Sequence, residues 1–187
     1  MPRDASSTRE KIVAAAGRLF YGRGIRSVSM DDVAARAGVT KRTLYYHFRS
    51  KDDLITAYLA ERDQPTLGYV TQWMDGTKGS LARKVALVFE RMEQVAGHPK
   101  WKGCGFLRTA AELADTPGHP ALKVGANHKK KLEAVFEKMI AAEGLSEPAL
   151  RARQIMVLFD GAWSAILLHR DLAYARAAGA AAATLLR

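Results

Sequence analysis

The sequence is poor in the features that support several kinds of protein. It has one cysteine in 187 residues, so no intrachain disulfide can form and a disulfide framework is excluded. A reducing compartment suits such a chain. Six prolines and 15 glycines leave no room for a collagen-like or low-complexity reading. No apolar run approaches the roughly 20 residues that a membrane-spanning helix needs. The most apolar stretch, Ile155 to Leu168, is interrupted by Asp160 and Ser164. The start, Met-Pro-Arg-Asp-Ala-Ser-Ser-Thr-Arg-Glu-Lys, has no apolar core of a secretory signal. A cytoplasmic protein without a membrane partner is expected. There is no Gly-x-Ser-x-Gly, no His-Glu-x-x-His, no phosphate-cradling glycine loop and no paired cysteine for zinc. Neither an enzyme nor a cofactor or metal site is expected. A cluster of Glu112, His128, Asp160 and His169 lacks any short ligand spacing.

What the chain does have is helical periodicity. Apolar residues make up 48% and charged residues 26%, an ordinary globular balance. Ile12, Ala16, Leu19 and Phe20 form one stripe of a first helix, stopped by Gly22 and Gly24. Ser29 reads as an N-cap with Asp31 and Asp32 in the next turn, where the helix dipole favours carboxylates. That second helix, Met30 to Ala37, ends at Gly38. Thr40 caps a third, reaching about Phe48, and Ser50 with Asp53 makes a variant capping box for a fourth. Further helices are expected near 51–74, 80–96, 104–115, 119–143, 147–170 and 171–186, with Pro65 kinking or splitting the first. No segment alternates with period two between turns, so no strand is predicted. The expected fold is all-α, with about nine helices in two domains, 1–52 and 53–187.

Charge is unevenly spread. Lys and Arg exceed Asp and Glu by 29 to 19, a net +10. Residues 1–60 hold 11 basic and 6 acidic side chains, so half of the excess sits on the first third. A basic head points to an anionic partner such as nucleic acid. The joint Ala37-Gly38-Val39-Thr40 has the small residue, the glycine for positive φ and the apolar plug that a helix-turn-helix needs. In the next helix Leu44 and Phe48 should face inward. Lys41, Arg42, Thr43, Tyr45, Tyr46 and His47 are left outward, donors suited to phosphates and base edges. Tyr45 could equally pack, and His47 could equally cap. Arg36 and Arg49 read as solvated charges. Arg42 is the candidate for guanine, because bidentate Arg–guanine is the commonest specific contact. Lys51 opens the fourth helix, where backbone N–H groups help hold a phosphate.

Residues 8–55, from Thr-Arg-Glu-Lys-Ile through Val-Ala-Ala-Arg-Ala-Gly-Val-Thr-Lys-Arg-Thr-Leu-Tyr-Tyr-His-Phe to Asp-Leu-Ile, resemble the TetR family of bacterial transcriptional regulators. The resemblance covers about a quarter of the chain. It implies an all-helical homodimer, a helix-turn-helix in the second and third helices, a body that binds a small-molecule effector, and a dimer seam in the last two helices. It places Thr40, Lys41, Arg42, Thr43, Tyr45, Tyr46 and His47 in the recognition helix, and Ser29 and Lys51 at phosphates of a double-stranded operator.

The body is read more coarsely. The helix containing Ile155–Leu168 is apolar nearly all round, so it must be buried on all sides, in a core or against a second subunit. Met156, Ile166, Ala177, Ala181 and Leu185 are the candidate dimer contacts. Met92, Cys104, Phe106, Arg108, Glu112, His128, Phe159, Asp160 and Trp163 are the candidate pocket, an aromatic and thioether surface with a few orienting polar groups. The bland alternative is ordinary core, with Asp160 paired to a cation. Lys129-Lys130-Lys131 reads as a solvated face. Cys104, flanked by Lys100 and Lys102 before a predicted helix, is either a small wall residue or, as in one branch of the family, a sensor of electrophiles or oxidants. The expected function is a ligand-released repressor acting on a palindromic operator. The alternatives are a redox or electrophile sensor acting through Cys104, and a non-specific basic DNA-binding protein.

Overall fold

The computed structural model describes residues 3–187, with side chains from Ser6 onward. Among these residues it forms nine helices and no strand: α1 (Arg3–Arg23), α2 (Met30–Ala37), α3 (Lys41–His47), α4 (Lys51–Asp75), α5 (Leu81–Ala96), α6 (Gly105–Glu112), α7 (Pro120–Ala142), α8 (Pro148–His169) and α9 (Ala173–Thr184).

The short helices of the head start and stop where local chemistry dictates. Ser29 has extended backbone; its hydroxyl accepts from the Asp32 N–H at 3.0 Å, and the Asp32 carboxylate accepts from the Ser29 N–H at 2.8 Å. This reciprocal capping box satisfies two N–H groups at the helix start. Gly38 closes α2 at φ 68°, a left-handed conformation that a side chain would strain. Thr40 caps α3 by accepting from the Thr43 N–H at 3.1 Å, and Ser50 accepts from the Asp53 N–H at 3.0 Å.

α4 runs unbroken through Pro65, so the expected split does not occur. Proline removes one N–H from the ladder, but Pro65 and Glu61, four residues back, are both exposed. The freed carbonyl can therefore turn to water instead of being stranded in a core.

The chain divides into two compact units. One holds the residues up to Gln64 together with Gly105–Ala126; the other holds Pro65–Cys104 and Asn127–Arg187. The expected boundary at 52/53 falls in the first turn of α4, where the helix continues without interruption. The first unit is packed around Ile12, Ala16, Phe20, Val33, Leu44, Phe48, Leu54 and Tyr58, all buried. Phe20 and Tyr58 meet edge to face at 5.6 Å. The second unit buries Met74, Val85, Phe89, Met92, Leu132, Phe136, Ile155 and Phe159. There α5 lies against α9 so closely that a Cβ on Gly179 would stand 2.8 Å from the Phe89 Cβ. Only glycine permits that approach.

Candidate functional site

In α3, Leu44 and Phe48 at its C-cap are buried and fix the inner face. The outer face carries Lys41, Arg42, Tyr45 and Tyr46, all exposed, with Thr43 and His47 half-buried. Tyr46 is 81% exposed and meets His47 edge-on at 5.2 Å. A tyrosine so open has no packing role in this chain. Tyr45 is also exposed, at 43%.

These outward side chains are not equally free. The Ser29 hydroxyl donates to Asp32 Oδ2 at 2.8 Å while accepting from the Asp32 N–H, so both functions are used in the cap. Thr40 and Thr43 share a hydroxyl–hydroxyl bond of 2.8 Å. The Lys41 ammonium lies 2.9 Å from one oxygen of Asp31 and 3.1 Å from the other. That pairing raises the Lys41 pKa above its ordinary value. Hydrogen bonds from the Ser29 backbone and side chain hold the Asp32 carboxyl below the usual carboxylate range. Among the described residues, no hydrogen-bond or ion-pair partner meets the side chain of Arg42 or Lys51. Sequence reasoning missed the Asp31–Lys41 pair; the two residues lie on different helices, and only the turn angle brings them together. Arg36 and Arg49 are exposed.

The pocket residues separate into two sets. Arg108 and Glu112 are in α6, in the same unit as the head. The Arg108 guanidinium donates to the Tyr21 carbonyl at 2.8 Å and lies over the Tyr21 ring at 5.5 Å. The Glu112 carboxylate accepts from the Arg26 N–H at 3.0 Å. Phe106 is buried in that unit.

Cys104, Phe159, Asp160 and Trp163 come together in the other unit, around a residue that sequence reasoning placed in solvent. Lys129 is not part of a solvated face: its ammonium pairs with Asp160, stands 3.9 Å from the Cys104 sulfur and lies 5.3 Å from the centre of the Phe159 ring. A carboxylate in an apolar run needs such a cation. Lys130 and Lys131 stay exposed. Trp163 stacks on Trp101 at 5.6 Å and meets Phe159 edge-on at 6.0 Å. Met92 and His128 are buried. Among the described residues, no three His, Cys, Asp or Glu side chains are placed to share a metal ion.

The outer face of α8 and α9 carries a shallow apolar groove of about 330 Å³, lined by Val157, Gly161, Ala165, Tyr174, Ala177 and Ala181 among others. Val157 is 69% exposed and Leu168 77%. Met156 and Ile166, expected at a seam, are instead 6% and 1% exposed in their own core. In a helix apolar all round, composition does not say which stripe faces out, and the adjacent residue Val157 takes that place. Leu185 is half-buried. Among the described residues, no helix is long and apolar enough to cross a membrane.

Known proteins share this architecture. The sequence profile of the bacterial regulatory proteins of the tetR family matches residues 12–58. A crystal structure of a TetR-family transcriptional regulator from Streptomyces coelicolor superposes with a TM-score of 0.84 at 31% identity, covering 97% of this chain and 95% of that one. The transcriptional regulator TtgR of Pseudomonas putida is 43% identical over 56 residues, 30% of this chain and 27% of TtgR. That match therefore spans little more than a quarter of the relative's length. The transcriptional repressor KstR2 of Mycolicibacterium smegmatis is 23% identical over 149 residues, 80% of this chain and 72% of KstR2. With the capped helix pair at 30–47, the nine-helix order and these likenesses together, the chain belongs to the TetR family of bacterial transcriptional regulators.

Proposed function

We propose that the protein is a ligand-responsive repressor that binds a palindromic operator as a homodimer in the cytoplasm. The observation that carries this reading is the outer face of α3: a short helix locked at both ends, with Arg42 on it and Lys51 just beyond, both without a hydrogen-bond or ion-pair partner among the described residues. A rigid helix with free donors is what reads a major groove. Tyr45, Tyr46 and His47 supply phosphate contacts and register, while Ser29, Thr40 and Thr43 hold the helix starts that position them. Repression needs only occlusion of a promoter, and the relative KstR2 is a repressor by name.

Two copies join through the groove on α8 and α9, because Val157 and Leu168 are large apolar side chains left in water. Val157→Glu is expected to convert dimer to monomer in sedimentation velocity. The effector is a small molecule held by aromatic and thioether surface at Met92, Phe159 and Trp163, oriented by the Lys129–Asp160 pair. Effector and DNA affinities are then reciprocal by linkage.

Enrichment of duplexes from a randomised library, followed by fluorescence anisotropy, tests the reading. The expected product is a palindrome whose half-site centres lie about 34–36 Å apart or a little more. A scrambled duplex bound as tightly as the enriched one would establish a non-specific basic DNA-binding protein instead.

One observation favours a second reading of the body. The Lys129 ammonium stands 3.9 Å from the half-buried, unpaired Cys104 sulfur, a thiol with a cation at hand, as a sensor of electrophiles or oxidants would need. Alkylation with iodoacetamide should then release DNA; unchanged DNA binding by the alkylated protein removes this reading.

A further inference from the structure

The basic residues of the recognition region differ in one respect that bears on how tightly any DNA is held. Lys41 is the first residue of α3 and Asp31 the second of α2. Both Asp31 oxygens are within 3.1 Å of the Lys41 ammonium. Arg42, the next residue along, and Lys51 have no such partner among the described residues. The other carboxylate of that turn, Asp32, is already engaged by the Ser29 N–H and hydroxyl and lies 3.6 Å from Arg23. Asp31 is therefore the acid that answers Lys41. Its side chain is 66% exposed and that of Lys41 61%, so the pair stands at the surface that meets DNA rather than in the core.

Sequence-independent affinity for DNA comes from cations that displace counterions from phosphates. A lysine that keeps its own carboxylate displaces fewer of them. To reach a phosphate, Lys41 must either leave Asp31 or carry a second anion toward the backbone.

We propose that Asp31 withholds Lys41 from DNA phosphates and so sets the sequence-independent part of binding. This rests on the DNA-binding reading above. It adds an attenuator to the recognition surface, an acid whose role is to make the contact weaker. A regulator that must search a chromosome gains from weak non-specific binding, since every non-operator site competes for it.

The test is anisotropy titration of the full-length protein on a 30-base-pair scrambled duplex, from about 50 to 200 mM salt. Asp31→Asn is expected to bind more tightly than wild type. Its plot of log K against log salt should be steeper by about 0.9, the increment for one more neutralised phosphate. The advantage over wild type should therefore grow about three- to fourfold from the high to the low end of that salt range. In a Lys41→Met background the same Asp31→Asn change should do nothing. Asp31→Glu, which keeps the charge, should track wild type; thermal melts of each variant monitor folding. An unchanged slope overturns the inference, as does weaker binding by Asp31→Asn, or an Asp31→Asn effect that persists without Lys41. If wild type shows no salt-dependent binding to either the scrambled or a library-enriched duplex, the DNA-binding reading falls and takes this inference with it.

Discussion

Arg26 holds Glu112 at two points. Its backbone N–H donates to the Glu112 carboxylate at 3.0 Å, and its Nε–H donates to the Glu112 backbone carbonyl at 2.8 Å. The same guanidinium also pairs with Asp115. Beneath it Gly24, at φ 89°, leaves only 3.0 Å between the Glu112 carboxylate and the place where a Cβ would stand. The turn that aims α2 is thus fastened to the C-terminal end of α6 by groups 86 residues apart.

Glu112→Ala removes the acceptor for the Arg26 N–H and is expected to loosen this turn. Hydrogen exchange should show lost protection at residue 26, with weaker DNA binding as the consequence. Protection equal to wild type would mean that the Nε–H contact and Asp115 suffice.

Arg42 and Lys51 should fail differently. Arg42→Ala is expected to cost about 1–3 kcal/mol on the enriched duplex and to relax preference at one base position. Lys51→Ala should weaken every duplex alike and flatten the salt dependence by about one unit of slope. Equal losses across a panel of operator variants would end that division of roles.

Gly179→Ala puts a methyl group into the Phe89 side chain across the α5–α9 contact. Overpacking of this kind costs about 1–3 kcal/mol. The midpoint of a urea titration should fall with its slope unchanged. Gly161, with nothing within 4 Å of its Cβ position, serves as the control, and Gly161→Ala should be neutral or stabilising in the isolated subunit.

Acid should weaken the turn that precedes α2. Hydrogen bonds from Ser29 hold the Asp32 carboxyl below its ordinary value, and those from Arg26 do the same for Asp115. The folded chain keeps these charges where the unfolded chain takes up protons. Their contribution is complete above the ordinary carboxylate value, near pH 4, and is lost as pH falls from there through the lowered folded-state values. Melting temperatures measured from about pH 6 down to pH 3 should decline less steeply for Asp32→Asn and Asp115→Asn than for wild type.

The elements that could be read from the sequence are those decided within a few residues. Ser29, Gly38 and Thr40 act on their own turns, so their caps appear in the structure where local chemistry puts them. What could not be read is settled at long range. Lys129 sits in a run of three lysines, yet it turns inward because Asp160, 31 residues on, needs a cation. Glu112 resembles a polar pocket residue until Arg26 is seen against it. Met156 and Val157 are neighbours of similar character, and only the packing of α8 against α5 and α9 decides which is core and which is face. Pro65 signals a break, but the signal depends on whether the freed carbonyl is buried, which no local pattern reports.

α4 spans 25 residues, Lys51 to Asp75, and the division between the compact units falls inside it, between Gln64 and Pro65. A second crossing, between Ala126 and Asn127, falls inside α7. Two of the chain's passages between units are therefore made of hydrogen-bonded helix rather than loose linker. A protease has no slack segment to nick there, and a fragment cut after residue 52 would lose the α6 residues that steady its own turn. Chimaeras that graft this head onto another body will keep its geometry only if they carry α4 through residue 64 and bring Gly105–Ala126 along with it.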